Sequence, residues 1–165
     1  PYDNREANVA RVTARLQARP VDTFRALPVF RRNYQRLVRN MRADGHAVVV
    51  ASQPFLFAPD LSPADKALLY YAQIFCAEDG FYPTLDSMAA GMRQFNAEAR
   101  GLAETARVPF LDFESAVPKT GEYFSDDVHL RAPANRILAR VVFDWIVAEK
   151  LINSQLPGGK APARR

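Results

Sequence analysis

The stretch FRRNYQRLVRNMRADGHAVVVA, residues 30–51, decides the fold class because it joins an amphipathic helix directly to a buried strand. Asp44-Gly45 is a typical helix end, and the apolar run from His46 to Ala51 predicts a short strand. Arginines occupy the helix side opposite the apolar residues, which recur at helical spacing: Phe30, Tyr34, Leu37, Val38 and Met41.

The same order of helix and strand recurs downstream. A continuous apolar seam predicts a long helix from Leu85 to Ala106, and Val108 to Phe113 predicts a second strand that is apolar enough to be buried on both faces. Two more helices are predicted, one from Ser62 towards Glu78 and one from about Ala132 to Leu151. A polar loop spans residues 114–130 between the second strand and the last helix.

Strands that alternate with helices predict an α/β architecture with a parallel sheet. Near the N-terminus, Val9, Val12 and Leu16 have helical spacing, and Pro20 ends that segment. Only two strands are therefore predicted, and two strands do not cover four amphipathic helices. We expect further strands upstream of Pro1, so that residues 1–152 form the C-terminal part of one domain and residues 153–165 a disordered basic tail.

Composition excludes several classes of protein. The 165 residues are 48% hydrophobic and 24% charged, which fits one globular domain and excludes wholesale disorder. No apolar stretch is long enough to span a bilayer. The single cysteine, Cys76, excludes an internal disulfide. Residues 1–45 hold ten arginines against four acidic residues, but no aromatic stacking motif accompanies them, so we expect a solvated helix face and no nucleic-acid partner.

The stretch FSDDVHL, residues 124–130, contains the residues best suited to catalysis. An aspartate three residues before a histidine, on a loop that enters a helix, can fold back so that its carboxylate accepts a hydrogen bond from the imidazole. Such a carboxylate selects the tautomer of a general base. The alternative is structural: Asp126 or Asp127 caps the last helix, and His129 lies at the surface.

The pattern around FSDDVHL resembles the C-terminal part of the SGNH (GDSL-type) hydrolase family, over roughly residues 20–150. Upstream, the helix at 30–41 followed by Val48–Val50 and Gln53-Pro54 is similar to the preceding segment of that family. The closest likeness runs from Met92 to Leu138 and is carried by Phe95-Asn96, Arg100–Ala103, Phe110-Leu111-Asp112, Val117-Pro118-Lys119, Tyr123–Leu130 and Asn135.

The resemblance implies a flavodoxin-like three-layer α/β/α sandwich with a parallel sheet, and hydrolysis of small-molecule, lipid or carbohydrate esters. It implies Asp126 as the acid of a Ser-His-Asp triad and His129 as the general base, with no cofactor and no metal. Asp127 matches a variable position, so no role is carried to it. Association through an exposed apolar surface is a further expectation.

The family's nucleophile block, Gly-Asp-Ser, and its Gly-x-Asn-Asp block are absent from the 165 residues. Ser52 comes nearest to a nucleophile because it follows a strand, but it precedes Gln53-Pro54 and lacks flanking glycines. We therefore expect the serine and the oxyanion-hole donors in a segment upstream. The other serines stand in unrelated contexts: Ser62, Ser87, Ser115, Ser125 and Ser154.

Three alternatives remain open at this point. Cys76 is a second candidate nucleophile, set against a buried, inert thiol. Asp126, Asp127, His129 and His46 are candidate metal ligands, although only two histidines exist. A non-catalytic α/β interaction domain that docks on a partner chain would also fit the unpaired apolar helix faces.

Overall fold

The protein is a mixed α/β fold with two short parallel sheets, seen in a computed structural model that describes residues 14–69 and 80–149. The strands are β1 (Gln17–Arg19), β2 (Val50–Ala51), β3 (Phe81–Pro83) and β4 (Phe110–Leu111). The helices are α1 (Leu27–Ala43), α2 (Pro63–Lys66), α3 (Leu85–Ala106), α4 (Phe113–Ala116) and α5 (Ala132–Ala148).

The pairing of β2 with β4 is parallel, as the predicted α/β architecture requires, but each strand is only two residues long and so shorter than the predicted runs 46–51 and 108–113. Val50 pairs with Phe110 and Ala51 with Leu111. Helix α3 supplies the crossover that parallel strands need, and it packs against α1 through a small core. That core consists of Val38, Val50, Ala99, Leu102 and Ala103.

The predictions for α1, α3 and α5 are confirmed, and their ends follow from local chemistry. Gly45 takes a φ of +81°, which turns the chain out of α1 towards β2. Thr84 begins α3 because its side chain accepts a hydrogen bond from the backbone N–H of Ser87. Helix α5 ends at Ala148, and residues 150 and 151 lie outside the described part.

The segment before Pro20 was predicted as a helix, and that prediction is wrong for its described part. Gln17–Arg19 instead forms β1, which pairs in parallel with β3. The strand at Phe81–Pro83 was missed as well, because neither segment carries a local strand pattern. Pairing between residues that are far apart in the sequence overrides the weak helical spacing before Pro20.

The helix predicted from Ser62 is also shorter than expected. Ser62 caps it as predicted, accepting from the backbone N–H of Asp65, but α2 ends at Lys66 and a turn follows. Residues 70–79, which include Cys76, lie outside the described residues. The polar loop after β4 holds the unpredicted short helix α4, which Asp112 caps by accepting from Ser115 N–H.

The larger core lies beside the loop that carries Asp126 and His129. Phe55, Leu56 and Phe57 are at most 2% exposed and form its centre. They belong to an extended segment that leaves β2, so the carboxyl end of this strand is buried against the loop. The remaining members of this core are Leu61, Leu69, Ala89, Val117, Phe124 and Ala134.

Candidate active site

The loop from Phe124 to Leu130 is closed at its base by backbone hydrogen bonds. Phe124 and Leu130 form an antiparallel bridge, and the N–H of Ser125 donates to the carbonyl of His129 at 2.9 Å. The N–H of Arg131 donates to the carbonyl of Tyr123 at 2.8 Å. The loop therefore has a defined shape before any side chain in it is considered.

Asp126 and His129 lie within hydrogen-bond distance, as the sequence predicts. The Nδ1 of His129 is 2.9 Å from Oδ2 and 3.0 Å from Oδ1 of Asp126. Oδ1 of Asp126 also accepts from the backbone N–H groups of Val128 and His129. The carboxylate thus holds the loop's backbone and the imidazole ring together.

The two side chains differ sharply in exposure. The Asp126 side chain is 10% exposed, whereas that of His129 is 62% exposed. Since Asp126 accepts at Nδ1, it favours the tautomer that carries its proton on Nδ1 and leaves the lone pair on Nε2. A buried carboxylate at Nδ1 of an exposed imidazole is also the geometry found in Ser-His-Asp triads.

The alternative in which Asp126 or Asp127 caps the last helix fails for Asp126, whose carboxylate accepts from the backbone N–H groups of Val128 and His129. Its other part holds, since His129 lies at the surface. Arg131 occupies the N-cap of α5, and no side chain makes a cap hydrogen bond there. The Nε of Arg131 instead donates to the carbonyl of Phe124 at 2.7 Å, which ties the helix start to the loop. Asp127 is 1% exposed, and its carbonyl accepts from the N–H of Leu56.

Ser52, the nearest candidate for a nucleophile, has a structural role. It is 4% exposed, and its hydroxyl donates to Oδ1 of Asp112 while accepting from the N–H of Glu114. Arg100 completes the group by donating to Oδ2 of Asp112 at 2.8 Å. This cluster joins the ends of β2 and β4.

The charge of Asp112 is stabilised within this cluster. Burial by itself raises the pKa of the Asp112 carboxyl. Hydrogen bonds from Ser52 and Ser115 and the positive charge of Arg100 outweigh burial and hold that pKa below its usual value.

Three residues that sequence reasoning gave no function lie behind the loop: Asn96, Glu114 and Lys119. Asn96 is 8% exposed and contacts the backbone of Gln53. Lys119 donates to the carbonyl of Phe55 at 2.9 Å. Asn96 and Lys119 lie in segments that carry the family resemblance, but hydrophobic patterning gives no role to an amide inside the apolar seam of α3.

A cavity of about 620 Å³ lies between α1, α3 and the end of β2. Leu130, the neighbour of His129, contributes to its wall, as do Ser52 and Gln53. The cavity is otherwise mostly apolar, with walls that include Phe30, Tyr34, Met92, Phe95, Phe113 and Leu138.

The described residues also bear on the candidate metal site and on membrane-spanning helices. Among residues 14–69 and 80–149, no group of three or more His, Cys, Asp or Glu side chains is arranged to hold a metal ion, so His46 does not join Asp126, Asp127 and His129. None of the helices in those two ranges is long and apolar enough to cross a membrane. Cys76, the second candidate nucleophile, lies outside the described residues.

No protein-family model matches the chain, and no curated protein is significantly similar to it. The geometry of Asp126 and His129, together with the residue pattern around them, is what points to a function.

Proposed function

We propose that the chain belongs to a serine ester hydrolase and supplies the acid and the base of its triad. Asp126 is the acid and His129 the general base. The observation that carries the proposal is the 2.9 Å contact between the buried Asp126 carboxylate and Nδ1 of the exposed His129 ring. A flavodoxin-like three-layer sandwich with SGNH-type topology is the corresponding fold proposal.

In the proposed reaction, Nε2 of His129 removes the proton from a serine hydroxyl as its oxygen attacks the acyl carbonyl. The tetrahedral intermediate collapses when His129 donates that proton to the leaving alcohol. A water molecule, deprotonated by the same nitrogen, then attacks the acyl-serine ester. His129 returns that proton to the serine oxygen as the acid product leaves, which regenerates the free serine. Asp126 stays ionised and stabilises the imidazolium that forms twice in this cycle.

We place the nucleophile and the oxyanion-hole donors outside the 165 residues. Ser52 is held by Asp112, and Ser87 accepts a hydrogen bond from the N–H of Val21 while 6% exposed. Ser62 and Ser115 donate to Asp65 and Asp112, respectively, at helix starts. Ser125 donates to the carbonyl of His129, and Ser154 lies outside the described residues. The engagement of the five described hydroxyls within the fold supports a nucleophile from another segment.

The substrate class is an ester of a small molecule, lipid or carbohydrate. The apolar cavity beside Leu130 supports an apolar acyl or alcohol group in that ester, since such cavities commonly bind the non-reacting part of a ligand.

The test compares the natural gene product, purified at the length that the cell makes, with the 165-residue chain. We expect the natural product to hydrolyse a short-chain nitrophenyl ester and to be labelled by a fluorophosphonate on a serine outside this chain. His129→Ala should abolish both. The 165-residue chain alone should show neither hydrolysis nor labelling. Loss of the nucleophile of a triad typically lowers the rate by several orders of magnitude.

Two outcomes would contradict the proposal. Hydrolysis by the 165-residue chain that His129→Ala abolishes would place the nucleophile inside it, with Ser52 the first candidate. No hydrolysis and no label in the natural product would contradict the hydrolase itself.

The second candidate function is an interaction domain that docks on a partner chain. It is favoured by large apolar side chains that remain exposed, among them Leu37 at 54% and Phe143 at 52%. His129→Ala separates the two: a docking domain would keep its partner, whereas a hydrolase would lose its activity.

A further inference from the structure

The position of His129 depends on a segment that lies outside its own loop. The docking segment, residues 53–56, leaves β2 and runs beside the loop. The N–H of Leu56 donates to the carbonyl of Asp127 at 2.9 Å, and Nε2 of Gln53 lies 3.4 Å from the carbonyl of Val128. Both acceptors, the carbonyls of Asp127 and Val128, lie in the sequence between Asp126 and His129. A shift of the docking segment would therefore move the loop.

Asn96 holds the start of the docking segment. Its Oδ1 accepts from the N–H of Gln53 at 2.8 Å, and its Nδ2 donates to the carbonyl of the same residue at 3.0 Å. A neighbouring β-strand would make the same pair of bonds. The Asn96 side chain therefore makes, at Gln53, the hydrogen bonds that a neighbouring strand would make, at a position where the described part of the sheet has no strand.

Lys119 holds the other end of the docking segment. Its Nζ donates to the carbonyl of Phe55 at 2.9 Å and lies 3.3 Å from the centre of the Phe55 ring. Phe55 is fully buried. Burial lowers the pKa of Lys119, and the charge and hydrogen bond of Glu114 oppose that effect.

Glu114 connects the two anchors. Its Oε2 accepts from Nδ2 of Asn96 at 2.6 Å, and its Oε1 lies 3.7 Å from Nζ of Lys119. Without this carboxylate, the half-buried ammonium loses its counter-charge and a buried amide hydrogen loses its acceptor, both of which are costly. The cluster works as one unit because each member satisfies the next.

We propose that Asn96, Glu114 and Lys119 are positioning residues that hold His129 in register through the docking segment. The inference builds on the proposed function, since orientation of a base matters only where a base is used. None of the three contacts His129 directly. A catalytic base must be held within a fraction of an ångström of its working position. The docking segment sets the position of the loop backbone, and the three residues set the position of the docking segment.

The experiment uses ¹⁵N-histidine NMR on the 165-residue chain, which has only two histidines. His129→Gln assigns the signals, and the exposed His46 serves as an internal reference. In Asn96→Ala and Lys119→Met, we expect the ¹⁵N chemical shifts of the His129 ring to change from those of the Nδ1–H tautomer towards those of a mixture of tautomers. Hydrogen exchange at the Val128 and His129 amides should accelerate about tenfold or more, while the His46 signals stay unchanged.

Glu114→Gln keeps the shape of the side chain and removes its charge, so it tests the cluster even if Asn96→Ala fails to fold. Arg100→Gln is the matched control, because it removes an ion pair at the same sheet end but no contact to the docking segment. Unchanged tautomers and exchange rates in Glu114→Gln and Lys119→Met would overturn the proposal. So would equal changes in Arg100→Gln.

The readout separates this inference from the proposed function. Altered His129 signals in the three variants support positioning whether or not the natural gene product hydrolyses esters. If the natural product is active, Glu114→Gln and Lys119→Met should lower kcat and leave KM unchanged, since neither residue lines the cavity assigned to the substrate.

Discussion

Asp126 performs two tasks with one carboxylate. It accepts from two backbone N–H groups, which shapes the loop, and from the ring of His129, which selects the tautomer. An asparagine keeps the oxygen that accepts from the backbone and lies 3.0 Å from Nδ1, but it places an NH₂ donor where the nearer acceptor, Oδ2 at 2.9 Å, now faces the ring. The two tasks can therefore be separated by one substitution.

Asp126→Asn should leave the fold intact and reverse the tautomer of His129. The asparagine oxygen keeps the backbone bonds, while its NH₂ requires a ring that carries its proton on Nε2. Ring ¹⁵N shifts would report this change directly, and kcat of the active gene product should fall by about four orders of magnitude. Asp126→Ala is the comparison, since it should also destabilise the fold by about 1–3 kcal/mol. An unchanged tautomer in Asp126→Asn would refute the assigned role.

The lowered pKa of Asp112 predicts a pH dependence of stability. Because its folded-state pKa is below the unfolded value, Asp112 stabilises the fold above the unfolded pKa, and that contribution is lost as the pH falls through the folded pKa. Urea unfolding between about pH 2 and pH 6 should show a steeper acid loss in the natural sequence than in Asp112→Asn. The two curves should converge at the acid end. Asp60→Asn controls for the loss of one negative charge, and parallel curves for Asp112→Asn would contradict the prediction.

At the scale of elements, helix α3 positions most of the parts described above. It packs on α1, crosses between β2 and β4, and carries Asn96 to the docking segment. Its N-terminal half also packs closely against the segment that follows β1. Gly91 marks this approach, since a methyl group there would lie 2.5 Å from Cε1 of Phe24.

Gly91→Ala should therefore have opposite effects in two backgrounds. Alanine favours a helix interior by about 1 kcal/mol over glycine, so in Phe24→Ala the second substitution should raise the free energy of unfolding. In the natural sequence, the clash with the Phe24 ring should cancel or reverse that gain. Chemical denaturation of the four proteins completes the double-mutant cycle. Equal effects in both backgrounds would show that the ring moves away at no cost.

At the scale of the whole molecule, two short parallel sheets support long helices with apolar faces. Large apolar side chains are exposed on both α1 and α5, as well as just before β2: Val29, Leu37, Met41, Val49, Phe143 and Val147. Surfaces of this kind usually contact another part of a protein or a partner.

We expect the 165-residue chain to bind a hydrophobic dye and to associate as its concentration rises. Six large apolar side chains are more than a third exposed, and exposed apolar side chains favour dye binding and association when they form patches above roughly a few hundred Å². Leu37→Lys and Phe143→Lys should each reduce dye fluorescence and association in sedimentation velocity. Gln94→Lys adds the same charge at an exposed polar position and should change neither. A monomer at all concentrations, with a cooperative melt and no dye binding, would contradict this expectation.

The sequence alone determined the elements whose causes are local. The helices at α1, α3 and α5 follow from apolar spacing, and the Ser62 cap from its neighbours. The presence of strands at β2 and β4 and their parallel direction follow from apolar runs that alternate with helices. The contact between Asp126 and His129 was predictable too, because three residues separate them within one closed loop.

Tertiary structure decided what depends on distant residues. Gln17–Arg19 became a strand through pairing with Phe81–Pro83, and Ser52 became a buried hydrogen-bonding group through Asp112. The contacts of Asn96 and Lys119 with the docking segment join residues 43 and 64 positions apart. No local pattern encodes such contacts, since their energy comes from partners that meet only after the chain has folded.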